Sequence, residues 1–438
     1  MKNYLAEYDA APEASKYPLV QKWMKTEPLP FFKQLREQRP ILVTPECTLV
    51  ANFTDVRDAL QMPKVFTVNL YKPKMNVTKD DDGYLMAHDD NALHYREKSL
   101  MQGMLNRDDI PRVRKLIKER SQDILDNANG HIEIVNEYCR MVPAILVQEY
   151  FGLDGIEPKK LLKWSFWNQY NTFHNQPFDL NTKEKYDHIV DTHAQCSEEL
   201  VAYMAKLMVR KLIFVKVGDL LTLPWRALKL LFRMQAKEST DDIVKRMLRS
   251  STAREVDFNL VRVGTNAGGL LIGAIETTSQ AVAQVIQYFI DRPELLKLAK
   301  AAAKSDDAQI DGMVWEALRY VPISPYMFRQ MGEDYTLAKG TDWETTIKKG
   351  TNVLTLTQSA MFDPYAFENP EEFNPKRNWY HHFNYGFASH ECLGKYIGMA
   401  MIPEMVRQVL LKDELNPVSI MDYKEGPFPE SYKLSWKV

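Results

Sequence analysis

Cys392 is the residue whose type and position most clearly indicate chemistry. It lies in a loop at residues 385–394, with the sequence YGFASHECLG, and the residues that follow have the apolar spacing of a helix face. A cysteine at a helix N-terminus meets the positive end of the helix dipole and unpaired N–H groups, and both favour the thiolate. Gly386 and Gly394 have no Cβ, so the backbone can approach something large and flat. The pattern predicts a thiolate that binds a metal.

The other cysteines do not supply further ligands for the same metal. Cys47, Cys139 and Cys196 are far apart in the sequence and form no C-x-x-C pair with Cys392. Structural zinc sites and iron–sulfur clusters need several ligands, whereas a single thiolate is typical of an axial ligand of haem iron. His390, two residues before the sulfur, is placed to reach a carboxylate at the edge of such a ligand. The spacing indicates no disulfide framework, which favours a reducing compartment.

A charged pair occurs within an apolar helical segment. Glu316 and Arg319 are three residues apart, so they share one helix face and can pair. Because their neighbours are apolar, the pair is predicted to be partly buried and to need a further partner. Arg377 is placed to complete the cluster, since it ends an irregular, proline-rich segment at residues 363–377 that runs into the Cys392 loop.

A glycine-containing apolar stretch from about residue 256 to 290 predicts a long central helix. Gly273 and Ala274 leave one face of this helix bare, so a planar group could lie against it. Glu276 and Thr277 place an acid and an alcohol beside the bare patch. A threonine hydroxyl within a helix can bond to the carbonyl four residues earlier and open the helix locally, which would admit water.

Together, these segments resemble the cytochrome P450 family over nearly the whole chain and in the family's order. The resemblance implies a mainly α fold with a minor β region, at about residues 35–65 and 330–360, within one domain spanning residues 1–438. It implies haem b bound between the long central helix and the Cys-loop helix, with Cys392 as the axial ligand of the iron. Glu276 and Thr277 match the family's oxygen-activating segment.

The resemblance also assigns the remaining contacts of the cofactor. His94 and Lys98 stand where the family usually has a histidine and an arginine, and Arg329 stands where it keeps an arginine for a haem propionate. Glu316, Arg319 and Arg377 match a structural cluster. The expected cofactor-binding residues are Cys392, His94, Lys98, Arg329, His390, Tyr385, Gly386, Gly273 and Ala274. The expected substrate-pocket residues are Phe66, Met86, Leu270, Ile323, Tyr326 and Phe428.

Two positions in the Cys392 loop depart from the family pattern. Tyr385 replaces the usual phenylalanine, and it adds a hydroxyl on the sulfur side of the iron, where hydrogen bonds tune the redox potential. We therefore expect a shifted potential or spin equilibrium. Ala388 replaces a usual glycine, and it is expected to be strained if this position needs a positive φ.

The implied function is monooxygenation, in which one oxygen atom from O₂ enters an apolar or amphipathic small molecule. No flavin or nicotinamide module remains beyond the haem fold, so electrons are expected from an external donor such as a ferredoxin with its reductase. Lys395, close to the ligand, is a candidate docking charge for that donor.

Three alternatives stay open on the sequence. A peroxide-using or hydroperoxide-rearranging haem-thiolate enzyme is the first, and a haem-based sensor or carrier without turnover is the second. Glu276 and Thr277 argue against both, since neither alternative needs protons to be relayed to bound O₂. The third is a metal cluster of His381, His382 and His390 with Cys392, which tandem histidines make difficult.

Composition excludes some classes of partner. The chain has 438 residues, a formal net charge of −2 and 45% hydrophobic residues, which is ordinary for a protein with a large core. This charge gives no support for nucleic-acid binding. The N-terminal sequence is not apolar enough for a signal peptide or anchor, so we expect a soluble, bacterial-type, cytoplasmic monomer.

The stretch from Val209 to Met234 mixes apolar runs with basic residues. Pro224 and the charges exclude a membrane span. One interpretation is a basic amphipathic surface that touches a membrane. The other, which we favour on the sequence, is a pair of helices that roofs the pocket with its apolar faces turned inward.

Overall fold

The computed structural model describes residues 2–231, 241–251 and 257–438, without the side chains of residues 219–231. Within these ranges the chain is mainly α-helical with a minor β region, as predicted. The α-helices of the described residues are α1 (Tyr4–Ala10), α2 (Glu13–Thr26), α3 (Pro28–Gln38), α4 (Phe53–Gln61), α5 (Ala92–Met104), α6 (Ile110–Asn127), α7 (Met141–Leu146), α8 (Pro158–His174), α9 (Lys183–Leu231), α10 (Ile243–Ser250), α11 (Leu260–Ala274), α12 (Glu276–Ile290), α13 (Pro293–Ala303), α14 (Asp307–Tyr320), α15 (Thr357–Ala360) and α16 (Lys395–Leu410).

Three small sheets accompany these helices within the described ranges. Their strands are β1 (Ile41–Val43), β2 (Thr48–Val50), β3 (Phe66–Thr67), β4 (His131–Glu133), β5 (Met327–Met331), β6 (Tyr335–Leu337), β7 (Thr345–Ile347), β8 (Asn352–Thr355), β9 (Asn416–Pro417) and β10 (Lys433–Ser435). The largest sheet has the order β1-β2-β8-β5-β3, with β2 parallel to β8 and the other pairs antiparallel. Pairing of Arg329 with Val353 fixes the register of β5, which the sequence pattern did not reveal.

The helix that follows Cys392 lies at the centre of the main hydrophobic core. It is α16, and it packs against α6, α12 and α14. Its buried face carries Met405 and Val406, and α12 contributes Val282 and Ile286 to the same core. Because this face is mostly apolar and packs against three helices, the helix is held firmly behind the cysteine loop.

The predicted long central helix is interrupted. Helix α11 ends at Ala274 and α12 begins at Glu276, with Ile275 between them at φ −87° and ψ −65°. The hydroxyl of Thr277 donates to the Gly273 carbonyl oxygen at 2.6 Å, so it competes with the helical hydrogen bonds at this point. The long central helix predicted from the sequence is therefore present as two consecutive helices, with the local opening that was expected at Thr277.

The Cys392 loop is closed by its own backbone. The Cys392 N–H donates to the Tyr385 carbonyl oxygen at 2.8 Å, and helix α16 begins three residues after the cysteine. Two residues of the loop have left-handed backbone conformations, Gly386 with φ +76° and Ala388 with φ +56°. Glycine adopts this conformation freely, but alanine does not, so the strain expected at Ala388 is present.

Helix α9 differs from the expectation for a roof with inward apolar faces. None of the described helices is long and apolar enough to cross a membrane. Along α9, however, Val209, Ile213 and Phe214 are exposed, so part of its apolar surface faces outward. The rest of the stretch to Met234 lies outside the described side chains.

We predict that Ala388→Gly stabilises the protein. Glycine relieves a left-handed strain of about 1–2 kcal/mol but increases the entropy of the unfolded chain, so the free energy of unfolding should rise by about 0.5–1 kcal/mol. Little packing is lost, because Ala388 is exposed. Urea unfolding followed by circular dichroism measures the change.

Ala338→Gly is the matched control, since Ala338 has φ +55° and follows β6, away from the Cys392 loop. Both variants should gain stability by the same mechanism. If Ala388→Gly lowered stability while Ala338→Gly raised it, the strain would not be the dominant effect at Ala388.

Candidate active site around Cys392

Cys392 is exposed in the loop that leads into helix α16. Protein atoms surround it deeply, yet the residue keeps exposed surface. Burial raises the pKa of the thiol above its ordinary value, against the lowering effects of the Gly394 N–H and the Lys98 ammonium. A metal cation bound at the sulfur would act in the same direction as these two groups and favour the thiolate.

Bare helix surface lies at the end of α11. Gly273 is exposed, and a Cβ at this position would meet no atom within 4 Å. Ala274 beside it is half-buried against the main core. The two small residues thus form a surface without side-chain bulk, as the sequence pattern predicts.

A buried charge pair ties α5 to α11. The Glu97 carboxylate accepts hydrogen bonds from Arg262 at 2.5 and 2.7 Å and from Asn266 at 2.7 Å. All three side chains are buried, so the arrangement fixes the position of α11 relative to α5. Sequence reasoning missed this pair, because its members are 165 or more residues apart.

His94 and Lys98 lie one turn apart on α5 and reach the Cys392 loop. His94 Nδ1 lies 2.9 Å from the Leu85 carbonyl oxygen, and its Nε2 lies 3.0 Å from the Ser389 carbonyl oxygen. The Lys98 ammonium also donates to Ser389. Both side chains are buried, and burial lowers the pKa of Lys98. They therefore brace the residues just before the cysteine.

Arg329 and His390 are a second group of potential hydrogen-bond donors near the Cys392 loop. Arg329 is buried and donates to the neighbouring Phe328 carbonyl oxygen at 2.8 Å. The His390 ring is buried, with Nε2 3.4 Å from Asp89 and no hydrogen bond at either nitrogen. The pKa of His390 is lowered to about 4, mainly by burial and also by the nearby Arg329. Asp89 was not among the predicted site residues.

The Glu316 carboxylate holds two guanidinium groups. It accepts from Arg319 at 2.6 and 3.1 Å and from Arg377 at 3.1 Å, and all three side chains are buried. The remaining donors of both arginines reach backbone carbonyls of residues 361–372. The cluster therefore fixes the irregular segment that leads to Cys392.

Glu276 belongs to a buried network that the sequence did not reveal. Its carboxylate accepts two bonds from Arg140 Nε, at 3.0 and 3.1 Å, and Arg140 also donates to Glu430 at 3.2 Å and to Asn136 at 2.6 Å. The pKa of Glu276 is raised to about 7. Burial is the main cause and Glu430 acts in the same direction, whereas Arg140 acts in the opposite direction. Two carboxylates thus share one guanidinium, and Glu276 can exchange a proton near neutral pH.

The Tyr385 hydroxyl is buried beside helix α16. It has no hydrogen-bond partner among the described residues, and a Cβ on Gly398 would lie 2.5 Å from it. Burial raises the pKa of Tyr385, and Cys392 contributes in the same direction. An unpaired hydroxyl near the sulfur is consistent with the tuning role expected for this residue.

Tyr84 is a candidate pocket residue that sequence reasoning missed. Its ring lies against α11 at Gly269, where any Cβ would overlap the ring. The contact explains why a glycine is needed at this turn of the helix, one turn before Gly273. A glycine one turn from the bare patch was the available signal for a close approach, but the sequence could not show which side chain makes it.

The expected pocket residues divide into two sets. Phe66 is fully buried beside the largest sheet against Tyr335, and Phe428 is buried in an aromatic cluster with Phe166 and Tyr170. Both side chains make packing contacts, and their place in a ligand pocket stays a prediction. The others are Met86, Leu270 and Ile323, which pack around the main core near α11, and Tyr326, which packs against the N-terminal cluster.

The histidine-cluster alternative is not supported. Within residues 2–231, 241–251 and 257–438, no group of three or more His, Cys, Asp or Glu side chains is arranged to hold a metal ion. His381 packs edge-on against Phe53, and His382 packs near Trp379. The tandem histidines therefore serve packing.

Several known proteins are similar to this chain over most of its length. The chain is 23% identical over 409 residues to pulcherriminic acid synthase of Bacillus subtilis (strain 168), covering 88% of each chain. It is 24% identical over 371 residues to the steroid C26-monooxygenase of Mycobacterium tuberculosis (strain CDC 1551), covering 83% of this chain and 72% of that one. The crystal structure of CalO2 aligns with a TM-score of 0.75 at 16% identity, over 94% of this chain and 97% of that one.

A family model described as "Cytochrome P450" matches residues 47–424. That span includes the Cys392 loop, the Glu316 cluster, the interrupted central helix and the donors on α5. The chain therefore belongs to the cytochrome P450 family, and it is an oxidoreductase that binds haem b.

Proposed function

We propose that the chain inserts one oxygen atom from O₂ into an apolar or amphipathic small molecule, with electrons from an external donor. Family membership supports haem-thiolate monooxygenation in general. The observation that carries the proposal for this chain is the opening of the central helix at Thr277, beside the buried Glu276 carboxyl with its raised pKa.

The residues around Cys392 fit the carboxylates and the iron of haem b. Lys98 and Arg329 are buried cations, and neither has an ion-pair partner within the ranges that the structure describes. His390 adds a buried ring with two unused nitrogens. Uncompensated buried cations are costly, so an anionic partner is expected at this edge. The two propionate groups of haem supply such a partner.

The same fit assigns roles to individual residues. Cys392 would be the axial ligand, because it is exposed at the loop that the buried clusters hold in place, and a bound metal cation would favour its thiolate. Lys98, Arg329 and His390 would hold the propionates, with His94 bracing the loop between them. Gly273 and Ala274 would offer the flat face of the ring a surface without side chains.

Bound haem supplies the oxygen-transfer chemistry, and the protein supplies ligand, orientation and protons. Thr277 donates its own hydrogen to Gly273, so its oxygen remains free to accept a hydrogen bond from water at the helix opening. Glu276, with a pKa of about 7, can take a proton from solvent and pass it on through that water. Arg140 keeps the Glu276 carboxyl in place.

The side chains proposed to line the pocket favour one class of substrate. Tyr84, Met86, Leu270 and Ile323 offer an aromatic and aliphatic lining, which favours a fatty acyl, terpenoid or aromatic molecule. A small iron–sulfur protein with its reductase is the proposed donor. Lys395 donates to Glu391 at 2.6 Å, so it is a weaker docking charge than the sequence indicated.

We also infer that residues 1–438 form one domain. Strands from both halves of the chain pair in the same sheets, since β2 pairs with β8 and β4 pairs with β10. Separating the halves would expose the edges of both sheets.

Replacing Thr277 with alanine tests the proposed function. A screen for the low- to high-spin transition of the haem first selects a bound substrate from fatty acyl, terpenoid and aromatic compounds. With that substrate and a surrogate ferredoxin system, Thr277→Ala should lower product formed per NADH by at least about tenfold, because the water is no longer held. Product and NADH are measured in the same reaction.

Thr278→Ala is the control, since Thr278 is the next residue and is buried. It should retain nearly the wild-type yield per NADH. Full turnover of Thr277→Ala with hydrogen peroxide, combined with no reductase-driven turnover by the wild type, would instead identify a peroxide-using enzyme. No product under either condition would support a sensor or carrier.

Glu276 should give both stability and turnover a dependence on pH near neutrality. Its pKa is raised to about 7, so the folded state binds the proton more tightly than the unfolded state. This contribution to stability is complete at low pH and is lost as pH rises through about 7. Each tenfold difference in proton affinity between the two states corresponds to about 1.4 kcal/mol of stability. Glu276→Gln should remove the loss between about pH 5 and pH 8 and lower turnover by about tenfold to a hundredfold.

Glu430→Gln provides the comparison for this prediction. It removes the second carboxylate on Arg140, so the pKa of Glu276 should fall and the inflection should move to lower pH without disappearing. Unfolding and turnover are measured across the same pH series. An inflection that persists unchanged in Glu276→Gln would show that another group titrates.

A further inference from the structure

Helix α9 carries an apolar surface on the side that faces away from the protein. Its inward side packs on α8, α10 and α11 through buried residues that include Met204, Leu207 and Val215. A surface helix normally has polar residues on its outer side. Here the outer side is also apolar, so packing within the chain does not account for the composition of the helix.

The exposed residues form a continuous stripe. Val201, Ala205, Val209, Ile213 and Val217 recur every four residues and are exposed, and Phe214 adjoins the stripe. Val209 is 63% exposed, Ile213 58% and Phe214 66%, so these side chains contribute most of their area to the surface. An extended exposed apolar patch of this kind marks a surface that contacts a partner or a membrane.

Basic residues flank the stripe. Residues 201–218 contain four lysines and arginines and no acidic residue. Arg210 is paired with Asp154, and Lys211 is buried with Asp242, so these two charges are used within the protein. Lys206 and Lys216 are exposed and have no ion-pair partner among the described residues. They leave a net positive charge beside the stripe.

The sequence continues in the same manner beyond the described side chains. Residues 219–237 contain four further lysines and arginines and one acidic residue, Asp219, together with Trp225 and Phe232. Apolar and aromatic residues interleaved with basic ones are typical of segments that lie in the headgroup region of a membrane. Lysine and arginine can bury their stems and keep the charged ends at the headgroups.

We propose that the stripe from Val201 to Val217, with Lys206 and Lys216, docks the protein onto the surface of a membrane that contains anionic lipid. The positive charge of the segment favours an anionic membrane over a second copy of the chain. A symmetric dimer through the same stripe would bring together two segments in which basic residues outnumber acidic ones by eight to one over residues 201–237. Anionic headgroups supply the missing negative charge, and the stripe needs to enter only the interface.

Vesicle flotation of the full-length, haem-loaded protein tests the proposal. Vesicles of equal parts phosphatidylglycerol and phosphatidylcholine should carry the protein to the top of the gradient at low salt, and pure phosphatidylcholine vesicles should carry about tenfold less. Raising the salt concentration should reduce binding to the anionic vesicles, because salt screens the attraction between lysines and headgroups.

Two variants separate the apolar and the charged contributions. Ile213→Ser with Phe214→Ser removes the centre of the stripe, and Lys206→Glu with Lys216→Glu reverses the flanking charge. Each pair should lower binding to anionic vesicles by about tenfold or more. The control is Leu298→Ser on α13, where an aliphatic side chain is 57% exposed away from α9, and it should bind as the wild type does. The haem spectrum verifies the fold of every variant.

Three results would overturn the proposal. One is a wild type that stays at the bottom of the gradient with anionic vesicles at low salt. Another is unchanged flotation of both double variants. The third is a wild-type dimer in sedimentation velocity that Ile213→Ser with Phe214→Ser converts to a monomer, without vesicle binding, which would assign the stripe to a second copy of the chain.

Discussion

The buried Glu316 carboxylate is the interaction on which the position of the cysteine loop depends. It pairs with both Arg319 and Arg377, and the two guanidinium groups donate to carbonyl groups of a segment that forms no helix or strand. Removing one member of such a cluster leaves a buried charge, which typically costs about 3–5 kcal/mol. An irregular loop thereby acquires the rigidity that an axial ligand requires.

The central helix has to meet two opposing structural requirements. The bare surface at Gly273 and Ala274 needs a helix without bulky side chains, whereas proton delivery needs an opening in the same helix. Thr277 satisfies both requirements, because its small side chain donates a hydrogen bond to the Gly273 carbonyl oxygen at the junction of α11 and α12. Glu276 then enters a network with Arg140 and Glu430, which connects the opening to the C-terminal segment.

The sequence predicted those parts of the site whose signal is local. Spacing along the chain sufficed for the Cys392 loop, for Glu316 with Arg319, and for Thr277 bonding back to Gly273. Arg140, Asp89 and Tyr84 were missed because each contact joins segments that are distant along the chain. The contacts of Phe66 and Phe428 could not be predicted for the related reason that an aromatic residue has the same type whether it packs a core or lines a pocket. The outward stripe of α9 could not be predicted from its sequence, because a helix with apolar residues on two sides does not reveal which side is covered.

The carbon monoxide difference spectrum of the reduced protein is the most direct test of the central claim, that the Cys392 thiolate ligates the iron of haem. The account predicts the red-shifted band of thiolate-ligated haem in the wild type and its loss in Cys392→Ser, with the other buried cysteines, Cys47, Cys139 and Cys196, left in place. An unshifted band in the wild type, or the same red-shifted band in Cys392→Ser, would contradict it.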